Sequence, residues 1–311
     1  MRWDISTGEI ADREATKRQK GAGFVDKRVQ YGVQERGLSG KVSDFEEYRD
    51  RKQTMSIRKA GETNVGRKRN HNEDSFLIVH DQLLYIVADG MGGHAAGEVA
   101  SRMAVETVSQ FFKDTAEDDE ITWPFKMDRQ KKYEENRLVT AIKYANLRIY
   151  EEALANAKKK GMGTTIVAVN FTRDGVYLGH VGDSRIYRFR KGELKQMTED
   201  HSLLNDYIKM KVLTEDEIKN FPHKNVIVRA LGMKDNVQVD VSFEVPEHED
   251  IYLLCSDGLS GEVPDEQMQE ILRETSNDLK ACCSRLIQQA CENGGKDNVT
   301  CVLAQYINDS L

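Results

Sequence analysis

Five acidic positions in this chain repeat one local event. Glu73-Asp74, Asp89, Asp183, Asp257 and Asp297 each stand where an apolar, strand-like run meets a turn rich in Gly or Asn. A single aspartate at such a place is ordinary, because its side chain hydrogen-bonds the turn's own backbone. Five in one enzyme-sized domain imply more: the ends of neighbouring strands converge and would gather these carboxylates into an acidic cleft. Crowded like charges raise one another's proton affinity unless cations neutralise them. Oxygen donors without His or Cys support suit hard divalent ions, Mg²⁺ or Mn²⁺, that keep several waters. Two such ions about 4 Å apart can deprotonate a bridging water and clamp a phosphoryl group.

The stretch YIVADGMGGHAAGE, Tyr85 to Glu98, shows the device most clearly. Leu83 to Ala88 has the length and branching of a buried strand. It ends on Asp89 and drops into Gly90, Gly92 and Gly93. A charge closing a core strand needs a cation or strong donors, and glycine lets backbone carbonyls and amides approach whatever Asp89 holds. A second reading competes here. Gly90-x-Gly92-x-x-Ala95, between a strand and the helix-like AAGEVASRMAVETVSQFF, imitates a dinucleotide-binding fingerprint. Against it, Asp89 would face the pyrophosphate. The acid expected about 20 residues on would also fall in a charged stretch where no strand is written. A purely structural Asp–Gly turn is the third option.

Arg69, four residues before Glu73, supplies what a carboxylate site lacks. In the basic run Arg67-Lys68-Arg69 an arginine ordinarily serves solubility. Beside the carboxylates its guanidinium becomes the natural clamp for a phosphate dianion, which it pairs bidentately. Other routes to phosphate chemistry are missing: no Cys is followed six residues later by Arg, and no Asp-x-Asp-x-Thr is present.

The elements that must position these residues are legible in outline. The chain has 311 residues, 31% charged and 39% hydrophobic, which suits a globular fold with a substantial core. A net charge of −7 disfavours a general nucleic-acid binder. No run approaches the roughly 20 apolar residues of a membrane span, and the first residues lack the apolar core of a secretory signal. The five cysteines, Cys255, Cys282, Cys283, Cys291 and Cys301, are odd in number and form no Cys-x-x-Cys pair. That argues against a disulfide framework or zinc site and for a cytoplasmic protein. Residues 1–60, poor in aliphatics and without a period, read as a mobile arm.

From Gly61 onward come strands ending at Asp89, a helix to about Phe112, and an acidic loop through Pro124. A helix from about Tyr133 to Lys159 follows, then strands through GMGTTIVAVNF and GVYLGHVGDSRIYRF. TEDHSLLNDYIKMKVLTEDEIKNFP is a charged helical insertion, VIVRALG and VQVDVSFEV are strands, and Asp265 to Glu274 and Leu279 to Glu292 are helices. Hairpin-like strands with two pairs of long helices predict an α+β fold. The expected architecture is a four-layer αββα sandwich of two antiparallel β-sheets flanked by helices.

RKRNHNED, VADGMGGHAAGE, GMGTT, GHVGDSRIYR, LTEDEI with VIVRALG, LLCSDGLSG and GGKDNVT, in this order, resemble the PPM/PP2C family of metal-dependent protein Ser/Thr phosphatases, in its bacterial stand-alone form. The resemblance covers about residues 61–306 and implies a phosphatase domain at 61–308 with a flap at about 199–223. It implies a binuclear Mn²⁺ or Mg²⁺ centre, with Asp89 bridging the ions and the Gly90 carbonyl on one. Asp257 and Asp297 would sit on the other, Glu73 and Asp74 on metal-bound waters, and Asp183 with Asp257 on a third, weaker ion. Arg69 would bind substrate phosphate.

Met91 stands where animal relatives carry a histidine, so His94 is the candidate proton donor, with a metal-bound water as its alternative. The expected partners are phosphorylated proteins, among them a Ser/Thr kinase or its substrates, met by a monomer without nucleic acid or membrane. A catalytically silent phosphatase-fold module that binds phosphoproteins is the rival, which loss of a metal-position carboxylate would favour; all are present.

Overall fold

Alternation along the strands sets the layers. The computed structural model describes residues 55–92, 95–117, 121–210, 217, 221 and 226–309. Its first sheet has the order β1 (Met55–Asn64), β11 (Val299–Asn308), β10 (Ile251–Cys255), β7 (Arg185–Arg190), β8 (Glu193–Gln196). Its second runs β2 (Asp74–Val79), β3 (Leu84–Met91), β5 (Ile166–Phe171), β6 (Val176–Val181), β9 (Asp240–Glu244), with the short β4 (Gly163–Thr164) on β3. Every pairing is antiparallel.

Successive side chains on a strand face opposite ways, and the buried residues sort by that parity. Tyr85 and Val87 of β3, Tyr252 and Leu254 of β10, and Val302 and Ala304 of β11 share the core between the sheets. Their neighbours in opposite phase on β3, Leu84, Ile86 and Ala88, pack beneath helices α1 (Ala95–Glu117) and α2 (Tyr133–Ala155). On the other side, Leu253, Cys255, Cys301 and Leu303 pack beneath the later helices. Three shorter elements complete the order: α3 (Leu203–Lys209), α4 (Asp257–Ser260) and α5 (Asp265–Thr275), followed by α6 (Leu279–Glu292). The four layers are therefore helices, sheet, sheet, helices, as expected. Burying each large aliphatic contributes about 1.5–3 kcal/mol, so this frame is what holds the polar loops in place.

Several boundaries differ from the sequence reading. Residues 1–54 lie outside the described part, but the folded domain begins before residue 61. Met55–Ala60 form the first half of β1, paired with β11 from Met55↔Asn308. The segment has few aliphatics because it is a sheet edge, where Ile57 alone of its large residues packs on the inter-sheet core. Helix α1 runs on into the supposed acidic loop, to Glu117. Thr115 is buried there, its hydroxyl donating to the Phe111 carbonyl (2.7 Å) and accepting from Arg137 Nε (2.8 Å). VIVRALG is not a strand: only Ile227 and Leu231 make isolated bridges, to Ser202 and Thr164. Of the flap expected at 199–223, residues 199–210, 217 and 221 are described. All three strands paired with β3 are antiparallel to it, so the parallel crossover that a dinucleotide fingerprint needs is not found among the described residues.

Candidate metal centre

The parity that builds the inter-sheet core also builds the site at its end. On β3, Tyr85 and Val87 face the opposite sheet, and the next residue in phase is Asp89. On β2, Phe76 and Ile78 pack on the same core, and the residue in phase before them is Asp74. The register pairs Asp74 directly with Asp89, which sets two carboxylates side by side on one face. From the other sheet, Ser256 continues the phase of Tyr252 and Leu254, and Thr300 that of Val302 and Ala304. Their hydroxyls donate to Asp74 Oδ2 at 2.8 and 2.7 Å. The apolar core thus ends in a polar plug made from four strands.

Around this plug the loops bring the remaining residues. Arg69, Glu73, Asp89, Gly90, Asp257 and Asp297 share one cavity of about 220 Å³, which Met91, Gly92, Ile227 and Asn298 also line. Asp183 opens on an adjoining cavity of about 430 Å³ that includes Asp257 and Asp297. Asn298 ties the pieces together. Its Oδ1 accepts from the Glu73 amide (2.8 Å) and its Nδ2 donates to the carbonyls of Val65 (3.0 Å) and His71 (2.9 Å). Gly90 and Gly97 are required by crowding: a Cβ on Gly90 would collide with the Gly97 and Glu73 carbonyl oxygens, and one on Gly97 with the Glu73 carboxylate. The GMGTT segment fixes Asp89 by its backbone. Thr164 Oγ1 and the Thr165 amide donate to the Asp89 carbonyl at 2.8 and 2.9 Å, and the Asp89 amide donates to Thr165 Oγ1 at 3.0 Å.

The electrostatics show a pocket short of positive charge. Burial, then the charges of Asp74, Asp257, Asp183 and Asp297, push Asp89 well above the ordinary carboxylate range. Burial raises Asp74 to about 7 against the pull of its two hydroxyl donors. Burial followed by Asp257 and Asp200 raises Asp183 to about 7. Asp257 is raised by burial and Asp297, offset by a hydrogen bond with Asp89 and by Arg69 and Arg185. Arg69 is the guanidinium that meets this pocket directly. Its Nη2 donates to Asp297 Oδ2 at 2.7 Å, and that bond followed by the charges of Asp297, Glu73 and Asp89 holds it cationic.

Asp74 Oδ1 and Asp183 Oδ1 are buried with no hydrogen-bond partner. A buried carboxylate oxygen left bare costs several kcal/mol unless a cation meets it. Oxygen donors of this number and kind fit Mg²⁺ or Mn²⁺.

Arg69, Glu73, Asp89, Gly90, Asp257 and Asp297 converge on one cavity, Asp74 stands beside Asp89, and Asp183 lies next door. His94 lies outside the described residues. Ser256, Thr300, Asn298, Thr164 and Thr165 were not singled out as site residues by the sequence reading. For Ser256 and Thr300 a signal existed, since counting by twos from the inter-sheet residues lands on both.

A model of the family described as protein phosphatase 2C matches residues 63–304. The serine/threonine phosphatase stp of Listeria welshimeri is 39% identical over 252 residues, covering 78% of this chain and 93% of that protein. The crystal structure of the Mycobacterium tuberculosis serine/threonine phosphatase PstP/Ppp superposes with a TM-score of 0.69 at 34% identity, covering 80% of this chain and 98% of that one. The catalytic domain of PstP in complex with two manganese ions gives a TM-score of 0.66 at 33% identity, covering 82% and 100%.

Proposed function

This chain belongs to the protein phosphatase 2C family, and on that premise we propose that its carboxylate pocket hydrolyses phosphoserine and phosphothreonine esters on proteins. It is a protein serine/threonine phosphatase whose cofactor is Mn²⁺ or Mg²⁺. The observation that carries the reading is the pair of bare, buried oxygens, Asp74 Oδ1 and Asp183 Oδ1, among carboxylates pushed up in pKa. In our assignment Asp89, the Gly90 carbonyl, Asp257 and Asp297 would hold a pair of ions, Glu73 and Asp74 would hold waters beside them, and Asp183 with Asp257 would hold a third ion. Bound there, divalent ions supply Lewis-acid charge for the phosphoryl oxygens and acidify water.

The chain's own residues do the rest. Arg69 keeps one N–H on Asp297 and turns the remainder of its fork to the phosphate dianion. A water attacks phosphorus in line as the bond to the seryl or threonyl oxygen breaks, and that oxygen leaves with a proton, which we assign to His94 or to water. Preorganised charge at the equatorial oxygens supplies most of the acceleration. Among the described residues no helix is long and apolar enough to cross a membrane, and all five cysteines are free thiols. We propose that the protein is cytoplasmic, where thiols stay reduced, and that it acts as a monomer opposite a Ser/Thr kinase. The test is a p-nitrophenyl phosphate assay: turnover should vanish in EDTA and return with Mn²⁺, and activity indifferent to chelation would refute the reading.

A further inference from the structure

Beside the carboxylate pocket lies a second cluster that the reaction does not use: the buried His180 and His201 with the half-buried Asp240 and Arg229. We propose that His201 is a positioning residue for protein substrates, latching the base of the flap to the turn that carries Asp183. The inference rests on the phosphatase reading for its activity readout alone.

His201 grips Gly182 twice. Its backbone N–H donates to the Gly182 carbonyl at 2.8 Å, and its ring Nδ1 accepts the Gly182 N–H at 3.0 Å. With Nδ1 an acceptor, the proton of the neutral ring sits on Nε2 and is donated to Asp240 Oδ2 at 2.9 Å. Arg229 Nη1 lies between the two partners, 3.1 Å from Asp240 Oδ1 and 3.0 Å from His201 Nε2. His180, stacked on His201 with ring centroids 4.4 Å apart, donates Nε2–H to the Glu199 carbonyl at 2.9 Å. Both histidines are buried.

The backbone continues the latch across the base of the flap. The Val228 N–H donates to the His201 carbonyl (2.9 Å) and the Leu203 N–H to the Val226 carbonyl (2.8 Å). Chain entering the insertion is thereby sewn to chain leaving it. On the other side Gly182, at φ +113°, lies so close to Thr165 that a Cβ would press on its side chain, and Thr165 holds the Asp89 amide. Asp183 is the next residue after Gly182. The same short base also faces the pocket. Ser202 and Leu204 line the cavity with Asp183, and Ile227 lines the cavity with Arg69. A phosphopeptide would meet these residues, whereas a small aryl phosphate need not.

Two substitutions separate the contacts. His201→Asn keeps an acceptor where Nδ1 stands, and His201→Gln keeps a donor near Nε2 but loses the Gly182 contact. Amide hydrogen exchange at Gly182 and steady-state kinetics on a phosphothreonine peptide and on p-nitrophenyl phosphate are measured for each. We expect His201→Gln to speed Gly182 exchange about tenfold or more. It should raise phosphopeptide KM about tenfold while changing p-nitrophenyl phosphate kcat less than threefold. His201→Asn should stay near the parent in all three, as should Asp240→Asn, which leaves the Gly182 contact intact. Equal exchange in the Gln and Asn variants, or an equal loss on both substrates, would overturn the latch. A parent inert toward both substrates would instead sink the phosphatase reading, and the exchange comparison would judge the latch by itself.

Discussion

The two clusters treat the same residue type in opposite ways. In the metal pocket Asp89, Asp74 and Asp183 are pushed up by burial and by one another. Asp240, against the effect of its own partial burial, is held below the usual range by the His201 hydrogen bond and the Arg229 charge. The difference lies in where the compensating donor comes from. At the latch the chain brings its own, so the carboxylate belongs to the frame. In the pocket it leaves oxygens bare, and the compensation must arrive as an ion.

The largest break in this contrast should come from Asp257, which faces both cavities. Asp257→Asn keeps the shape and removes the charge. We expect kcat to fall about a thousandfold or more, the loss of several kcal/mol of metal-borne stabilisation, with thermal unfolding little changed. An unchanged kcat would remove Asp257 from the centre.

The contrast also predicts pH effects of opposite sign in EDTA-treated protein. Asp183 has a folded pKa of about 7 against roughly 3.9 unfolded. Its contribution to stability is present in full below about pH 4 and is lost as pH rises through 7. His201 is depressed to about 4, first by burial and then by His180, against roughly 6.5 unfolded. Its contribution is present in full above about pH 6.5 and is lost as pH falls toward 4. At about 1.4 kcal/mol per pKa unit the swing amounts to about 4 kcal/mol for Asp183 and about 3.5 kcal/mol for His201. Urea midpoints between pH 4 and 7.5 should show Asp183→Asn gaining on the parent as pH rises, most of the gap closing with Mn²⁺. The parent's advantage over His201→Asn should shrink as pH falls. Parallel curves would mean that the two clusters do not differ as stated.

A smaller effect should follow from the plug behind the metal residues. Thr300→Val removes one of two donors from Asp74 Oδ2 and leaves the core volume unchanged. Loss of such a supporting hydrogen bond typically weakens metal affinity by about 10–100-fold, which Mn²⁺ titration calorimetry would register. Unaltered affinity would make Asp74 part of the frame, like Asp240.

How much of this was legible depends on whether a residue's role is local. The strand ending at Asp89, its glycines and the paired sheets follow from composition and period, because an apolar run closed by a charge has few physical explanations. Asp257 and Asp297 could be read for the same reason. Asn298 and Thr165 could not, since their partners lie at residues 65, 71, 73 and 89 and nothing local marks them. VIVRALG misled because its aliphatics suit a strand, yet Val226 and Val228 are exposed and its backbone bonds go to residues 164 and 201–203. The start of β1 was missed for the opposite reason: an edge strand has one neighbour and needs little apolar surface to stay paired.

The last prediction concerns Arg69, the cation hydrogen-bonded to a carboxylate of the pocket, Asp297. Arg69 and Asp297 are both substantially exposed, at 53% and 36% of their side chains, so the pair adds at most about 1 kcal/mol to stability. Arg229 differs in kind, because it closes a cluster built around buried histidines. Removing Arg69 should therefore cost binding and not folding. Arg69→Ala should raise KM for phosphopeptides about tenfold, equivalent to about 1.4 kcal/mol, and leave the unfolding temperature within about 2 °C of the parent. A flat KM would take the clamp away from Arg69. A fall in stability with KM unchanged would show that Arg69 serves Asp297 as Arg229 serves Asp240, and the distinction between a pocket awaiting charge and a latch that carries its own would have to be drawn one residue further in.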